Sequence, residues 1–446
     1  LAAGQGSRMR SSLPKVLHPL GGRPLLLHVL ETGAAIAEGK PVVVVGAEQP
    51  AVRSALDGRA EIVEQLQPLG TGDAVRSVPG ALRRSGPVLV LSADVPLIRA
   101  ETLRQLLETH ASGEAACTLL SVVPDDPSGM GRVQRDIEGH VGRILEEGDM
   151  PRGMVPPIEC NAGVYVFEGD QLWPALDRLS ADNAQAEYYL TDIVELMDGR
   201  VSAVTAADPS ETIGINDRRH LAAAEAVLRR RLLDELMAAG VTIEDPATTF
   251  IDAGVRIGAD SVISPMTTIG RGSSLGSGCR IGPMAELRAV RAGDRVSIGS
   301  AHLEDCVLGD DVSVGPYCRV RPNTVLASGV ELGTHAEVKN STVGSSTRIN
   351  HFSCVLDSDV GKDVNIGAGT VTCNFDGGEK HRTTIGDRVF VGSNTTIVAP
   401  VRIGDRAYIG AGSLVNADVP AGALAVGRAR QRNIEGWAAR RRSPRG

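Results

Sequence analysis

The sequence predicts two architectures in one chain: an α/β half with a mostly parallel sheet over residues 1–216, and a parallel β-helix of six-residue repeats over 241–430. Three observations predict them. Before residue 216, short β-branched runs alternate with amphipathic stretches, the pattern of βαβ units. From Ile251 onward an aliphatic residue recurs every six positions, a period that suits neither an α-helix nor a strand with one wet face. Glycine reaches 52 residues and is densest in the second half, while aromatics make up only 3%. A narrow solenoid bore has little room for rings, and glycine turns its corners.

Taken in order, the strand candidates of the first half are Val42–Gly46, Val88–Asp94, Ala116–Val123 and Gly163–Phe167. Residues 217–240 then place Leu221, Ala224, Leu228, Leu232 and Leu236 at helical spacing, with Gly240 as the stop, which predicts a linker helix. The repeats run as Ile251, Ile257, Ile263, Ile269, Leu275, Ile281 and Leu287, resume from Leu308 to Val338, and continue from Ile385 to Val415. Each repeat is one flat side with its aliphatic turned inward. The phase slips between Leu287 and Leu308, the step shortens to five at Val338–Val343 and Val355–Val360, and Cys373–Thr384 is a polar insertion. Insertions in solenoids become loops on one face, often the binding face, although tolerated surface variation explains the two shorter breaks equally well. Residues 431–446 read as a disordered basic tail around Trp437.

A net charge of -8 argues against a general nucleic-acid binder. No apolar run reaches the ~20 residues of a membrane span, so no membrane partner is expected. Seven cysteines without a C-x-x-C pair read as reduced thiols and, with the missing leader, as a cytoplasmic protein.

The stretch LAAGQGSRMRSSLPK, Leu1–Lys15, is a glycine-rich turn followed by Arg8, Arg10 and Lys15. Bare backbone N–H groups beside cations suit a polyphosphate, although G-x-G alone is equally a structural turn. It lacks the G-K-[ST] of a Walker loop and the G-x-G-x-x-G of a dinucleotide fold. Asp94 ends an apolar strand, where it either caps a turn or meets a ligand at the carboxyl end of the sheet. Asn216 precedes the linker helix, as a cap-region residue or a ligand.

The L-A-A-G-x-G-S-R-M-R-S-S-x-P-K pattern resembles the signature of sugar-nucleotide pyrophosphorylases. With a hexapeptide solenoid behind it, the whole chain resembles the bacterial bifunctional N-acetylglucosamine-1-phosphate uridyltransferases/glucosamine-1-phosphate N-acetyltransferases. That resemblance implies a Rossmann-like nucleotidyltransferase domain over 1–216 and a left-handed β-helix acetyltransferase domain over 241–430. It implies UTP and acetyl-CoA as co-substrates, N-acetylglucosamine-1-phosphate and glucosamine-1-phosphate as acceptors, Mg²⁺ as cofactor and a homotrimer. Carried over residue by residue, Leu1, Ala2, Ala3 and Gly4 clasp the nucleotide, Arg8 and Lys15 take its phosphates, and Gln65, Gly70 and Thr71 read the base. Gly131, Glu146 and Asn161 meet the sugar phosphate, and Asp94 with Asn216 holds Mg²⁺.

In the solenoid the same resemblance makes His351 the general base on the 2-amine, a task that suits imidazole with its ordinary pKa near 6.5. Arg321, Lys339, Cys354 and Asn365 then bind glucosamine-1-phosphate, and Ala368, Asn374, Phe375, Ser393, Ala411 and Arg428 line the acetyl-CoA groove. The chain departs from the family pattern at three places. Gln5 stands where a lysine is usual, and Cys354 and Phe375 stand where tyrosines are usual, which removes a charge and two hydroxyls.

Overall fold

The computed structural model describes residues 1–4, 6–197 and 199–442, and the chain divides into two compact units, Leu1–Arg230 and the residues from Arg231 on. Gln5 lies outside the described residues. No helix among them is long and apolar enough to cross a membrane.

The sheet of the first unit is built around the start of the chain. Val42–Gly46 pairs in parallel with Glu61–Gln65, and Ala2 bridges Val45 in parallel. On its other side Leu1 donates to the Leu91 carbonyl (2.6 Å), and Ala93 donates back to Leu1 (2.9 Å), a parallel pattern that continues the Pro87–Val90 strand. Beyond Pro87–Val90 come Cys160–Glu168, Cys117–Val122 and Val201–Thr205. Val201–Thr205 and Cys117–Val122 are parallel, whereas Cys160–Glu168 runs antiparallel to both of its neighbours. The run Gly163–Phe167 thus belongs to a reversed strand of a mostly parallel sheet, and Val141–Leu145 at the sheet's end runs the same way. Cys160–Glu168 is reached through an antiparallel hairpin, Arg132–Arg135 with Val141–Leu145, and a parallel strand would have required a crossover helix in its place. The apolar continuity of Cys117–Val122, buried at all six positions, fits a central strand covered on both faces.

A helix spans Arg218–Ala238. Its first half packs Leu221, Ala224, Val227 and Leu228 with Leu20, Leu25, Leu97 and Ile215 of the first unit. In its second half Leu233 is the buried residue, with Leu236 and Met237 against the solenoid core, while Leu232 is only half-buried. The stripe therefore rotates by one position between its ends.

From Thr242 the second unit is a coil of short parallel strands. Ile251 pairs with Ile269, and Ile269 with Leu287, so one full coil takes 18 residues, three sides of six. Every repeat aliphatic from Ile251 to Leu287, from Leu308 to Val338 and from Ile385 to Val415 is buried, and these side chains form one continuous core. Each contributes about 1.5–3 kcal/mol by leaving water. The phase slips are five-residue sides. Ala292 takes the inward place opposite Leu275, Leu303 that opposite Leu287, and Leu308 that opposite Ala292. A left-handed residue turns the corner at four of these sides, Ala289, Asp305, Asn340 and Asp357. The insertion after Cys373 folds as a small hairpin, closed by an antiparallel bridge between Phe375 and Lys380. Residues Trp437–Arg442 form a short helix where the tail was expected to be disordered. Ala438 and Ala439 are strong helix formers, and Arg441 lies over the Trp437 ring, 5.2 Å from its centroid, one turn along. Residues 443–446 lie outside the described residues.

Candidate functional site

Past Ala3 the first segment leaves the sheet and turns on Gly6, whose φ is +64°. A Cβ there would lie 2.4 Å from the Lys15 Cβ, so only glycine lets the turn close onto Lys15. A cavity of about 540 Å³ opens above this turn. Leu1 to Gly4, Arg8, Lys15, Gln65, Gly70, Thr71, Asp94 and Asn216 all line it, so residues far apart in the chain meet there. Ser92, Pro68 and Glu187 also line it, and nothing in their local sequence marks them.

The Lys15 ammonium sits 2.6 Å from Asp94 Oδ2 and 3.5 Å from Asn216 Oδ1, and Arg8 donates to Asn216 Oδ1 at 3.0 Å. The Ile215 amide, donating to the Asp94 carbonyl at 2.8 Å, holds the two segments together. Asn216 does not cap the helix. Asp217 does, its Oδ1 accepting from the amides of Arg219 and His220. Two oxygen donors, one of them a carboxylate, thus converge on a single cationic centre, a donor set that suits a hard divalent cation.

Opposite, Gln65 is buried, and its amide nitrogen donates to the Gly70 carbonyl (3.0 Å) and Asp73 (2.9 Å). Gly70 has φ +114°, and a Cβ on it would lie 2.5 Å from the Tyr188 carbonyl oxygen. The Thr71 hydroxyl accepts from the Leu190 amide at 3.0 Å, and the next residue, Thr191, donates to Glu146 at 2.9 Å. The segment 188–191 therefore ties the Gln65–Thr71 loop to the trio Gly131, Glu146 and Asn161. In that trio Gly131 stands beside Glu146 and accepts through its carbonyl from the Asn161 amide at 2.8 Å. Burial pushes the Glu146 carboxyl up from its ordinary value, and the nearby Asp149 adds to this. Asn161 is held at both ends of its side chain, donating to the Tyr165 hydroxyl (2.6 Å) and accepting from the Gly163 amide (3.1 Å).

In the solenoid the predicted residues fall on two groups of neighbouring coils. Arg321 and Lys339 lie on adjacent rungs, and Arg321 pairs with Glu337 at 2.9 Å. Lys380, on the insertion hairpin, is the third cation of this group. Its charge, followed by that of Arg321, lowers the Lys339 ammonium below its ordinary value. Cys354 sits across from Glu337, half-buried, with its thiol pushed up by burial. Asn374 and Asn340 both donate to Asp357. Lys380, Asp357 and Asn340 are residues the sequence did not flag, and Lys380 could have been found from its place on the charged insertion.

The second group is one corner of the coil. Phe352 donates to Thr334, Gly369 to His351 (3.2 Å), Asn394 to Ala368 (2.7 Å) and Gly412 to Ser393 (2.8 Å), so His351, Ala368, Ser393 and Ala411 occupy equivalent places on successive rungs. The Arg428 side chain reaches Gly412. Among those corner residues only His351 has a left-handed backbone, φ +53°, and it is followed by Phe352 at +34°. The rung at His351 thus carries two consecutive left-handed residues where the neighbouring rungs carry one. The His351 imidazole is exposed and has no hydrogen-bond partner among the described residues. Asn365 lies on the adjoining side, paired with Arg348 and Phe390, and Phe375 is exposed on the hairpin. Arg321 and Lys339 stand toward the other end of the side that begins at Cys354.

Comparison with known proteins matches residues 1–195 to the MobA-like NTP transferase domain and residues 382–417 to six bacterial transferase hexapeptide repeats. Over nearly the full length the chain is similar to proteins named "Bifunctional protein GlmU". The relative from Heliobacterium modesticaldum is 45% identical, covering 99% of this chain and 97% of the relative. That from Thermotoga maritima is 45% identical, covering 99% and 98%, and that from Mycobacterium marinum is 45% identical, covering 99% and 92%.

Proposed function

The chain belongs to the family of bifunctional GlmU proteins, and on that premise we propose how its residues divide the synthesis of UDP-N-acetylglucosamine between two sites. The solenoid transfers acetyl from acetyl-CoA to the amine of glucosamine-1-phosphate, and the α/β unit transfers uridyl from UTP to N-acetylglucosamine-1-phosphate with release of diphosphate.

In the first reaction the free imidazole of His351 takes the proton from the sugar amine, so that the neutral nitrogen can attack the thioester carbonyl. Arg321, Lys339 and Lys380 receive the sugar phosphate, while Cys354 and Asn365 flank the sugar. Asn374 and Phe375 on the hairpin, with the corner formed by Ala368, Ser393, Ala411 and Arg428, carry the acyl donor.

In the second reaction the backbone of Leu1–Gly4 receives the nucleotide, because no side chain blocks its approach. Gln65, Gly70 and Thr71 face the base, and Gly131, Glu146 and Asn161 face the sugar. Arg8 and Lys15 neutralise the phosphates, which lets one anion approach another in line. Asp94 and Asn216 would hold Mg²⁺, which when bound supplies further neutralisation of phosphate charge. The observation that carries the reading is the Lys15 ammonium set between Asp94 and Asn216, inside a cavity walled on one side by bare backbone.

The domain division proposed with this is 1–216, a linker helix over 217–240, the acetyltransferase over 241–430 and a tail over 431–446. A homotrimer in the cytoplasm completes it. Phe390, Tyr408, Leu414 and Leu424, all exposed on one chain, support association, and seven free cysteines support a reducing compartment. The test is incubation with UTP, Mg²⁺, glucosamine-1-phosphate and acetyl-CoA, with omission of each in turn. UDP-N-acetylglucosamine and free CoA thiol should form together only in the full mixture, and thiol release without Mg²⁺ should persist. Light scattering gives the oligomeric state.

A further inference from the structure

A second cleft shares Ser7 and Arg8 with the nucleotide cavity. It is lined by Ser7 to Arg10 and Asp217 to Arg219 and has a volume of about 810 Å³. Four arginines line it, Arg8, Arg10, Arg218 and Arg219, against one acidic residue, Asp217. The Asp217 carboxylate is already engaged as the cap of the following helix. Arg218 is fixed by Met9, whose carbonyl accepts from its Nε at 3.3 Å, and by His18 at 3.3 Å. Burial and the Arg218 charge hold His18 below its ordinary pKa, so it offers Arg218 a neutral partner and adds no charge to the cleft. The Arg10 guanidinium has no hydrogen-bond partner among the described residues, while its backbone amide donates to the Ser7 carbonyl at 3.1 Å. Arg219 reaches only Asp217, at 3.9 Å, with its side chain 95% exposed.

Three of these cations sit where local physics disfavours them. Arg10 has a left-handed backbone, φ +48°, which a non-glycine residue adopts at a cost. Arg218 and Arg219 occupy the first turn of a 21-residue helix, at the positive end of its macrodipole. A chain that keeps three arginines against such preferences, with the Arg10 guanidinium unpartnered among the described residues and Arg219 held only loosely by Asp217, presents an anion-receiving surface. Planar forks spaced around a cleft match a molecule with two adjacent tetrahedral phosphates better than a single one.

We propose that this cleft receives inorganic diphosphate as it leaves the nucleotide cavity, with Arg8 shared between the two. The inference rests on the uridyl-transfer reading above. Diphosphate released beside Lys15 and Arg8 passes to Arg10, Arg218 and Arg219, which draws product away from the reacting centre.

The test is the reverse reaction, UTP formation from UDP-N-acetylglucosamine and inorganic diphosphate, in the parent, in Arg219→Ala and in the double variant Arg10→Ala/Arg219→Ala. The KM for diphosphate should rise about fivefold in the single variant and about tenfold in the double, with the KM for UDP-N-acetylglucosamine unchanged. Diphosphate inhibition of the forward reaction should weaken in parallel, and 0.3 M salt should shrink the difference. A diphosphate KM within about twofold of the parent in both variants overturns the proposal. If removing Arg10 disturbs its turn and depresses all rates, Arg219→Ala decides alone, because that side chain stands in solvent. A parent that makes no UTP overturns the uridyl-transfer reading itself, whereas an active parent with indistinguishable variants overturns only the second cleft.

Discussion

The two candidate sites are assembled in opposite ways. The cavity of the α/β unit gathers Leu1–Gly4, Gly6–Arg8, Lys15 and Val16 with residues drawn from 65–74, 92–94, 187 and 216, brought together by the strand order of one sheet. The solenoid corner places His351, Ala368, Ser393 and Ala411 by repetition alone, each one coil after the last. A site of the first kind depends on the whole unit being folded, while a site of the second kind needs only neighbouring coils. The first also concentrates charge in a partly enclosed space, whereas the second lays its groups along an exposed edge.

The largest effects should come from separating the chemistries. Asp94→Ala should lower uridyl transfer by about 10³-fold and leave acetyl transfer within about twofold, and His351→Ala should do the reverse, with a loss of about 10²–10⁴-fold. Parallel assays of both activities on each variant check this, and equal loss of both would break the comparison. Next, Ile397→Ala removes a fully buried rung side chain and should cost about 2–5 kcal/mol in the solenoid. Calorimetry should then show one unfolding transition moving down while uridyl transfer survives to its former temperature. A shared single transition would mean that the halves do not stand apart.

A smaller effect concerns the cationic group of Arg321, Lys339 and Lys380, on the reading that it receives the sugar phosphate. Lys339→Ala should raise the KM for glucosamine-1-phosphate about tenfold, most strongly at low salt. Because Lys380 and Arg321 hold the Lys339 ammonium low, affinity in the parent should decline on the alkaline side before an ordinary lysine would lose its proton. Lys380→Met should move that decline to higher pH, as followed by KM against pH. The smallest effect concerns Asp192, whose carboxyl is raised to about 6 by burial and then by Glu146, Glu195 and Asp149. A raised acid favours the folded state while protonated, and that contribution disappears as pH climbs through 6. Asp192→Asn should therefore raise the melting temperature by about 2 °C near pH 7.5 and make no difference near pH 4. Thermal melts at the two pH values decide it.

The contrast between the sites also governs how much of each could be read from residues. Periodicity of six marked the inward aliphatics of three runs, Ile251–Leu287, Leu308–Val338 and Ile385–Val415, because one coil repeats one rule, whereas Ile298, Leu303, Ile349 and Ile366, reached through five-residue sides, fell outside it. The corner ladder was not legible, since it depends on which residue of each turn is left-handed. The extra left-handed residue at His351 became visible only against its regular neighbours. In the first unit the strand-forming runs were legible, but the reversal of Cys160–Glu168 was not, because an apolar run carries no direction. Leu1–Gly4, Lys15 and Asp94 could be named from a motif. Glu187 and Ser92 could not, being placed only by chain folding over long separations. Asn216 shows the limit of local reading, since the capping role its position suggested belongs to Asp217.

The corner ladder has one more implication. Successive rungs of parallel strands are spaced by about 4.8 Å, so the four steps from His351 to the turn at Arg428 span about 19 Å. The coil between Ala368 and Ser393 contains the inserted hairpin, yet the Asn394 amide still meets the Ala368 carbonyl at 2.7 Å. The edge therefore works as a ruler graduated in whole coils, and loops can be added beside it without altering its scale. On the reading proposed above, an acyl carrier one graduation too short would leave its thioester stranded a full step from the imidazole, whatever its affinity for the far end.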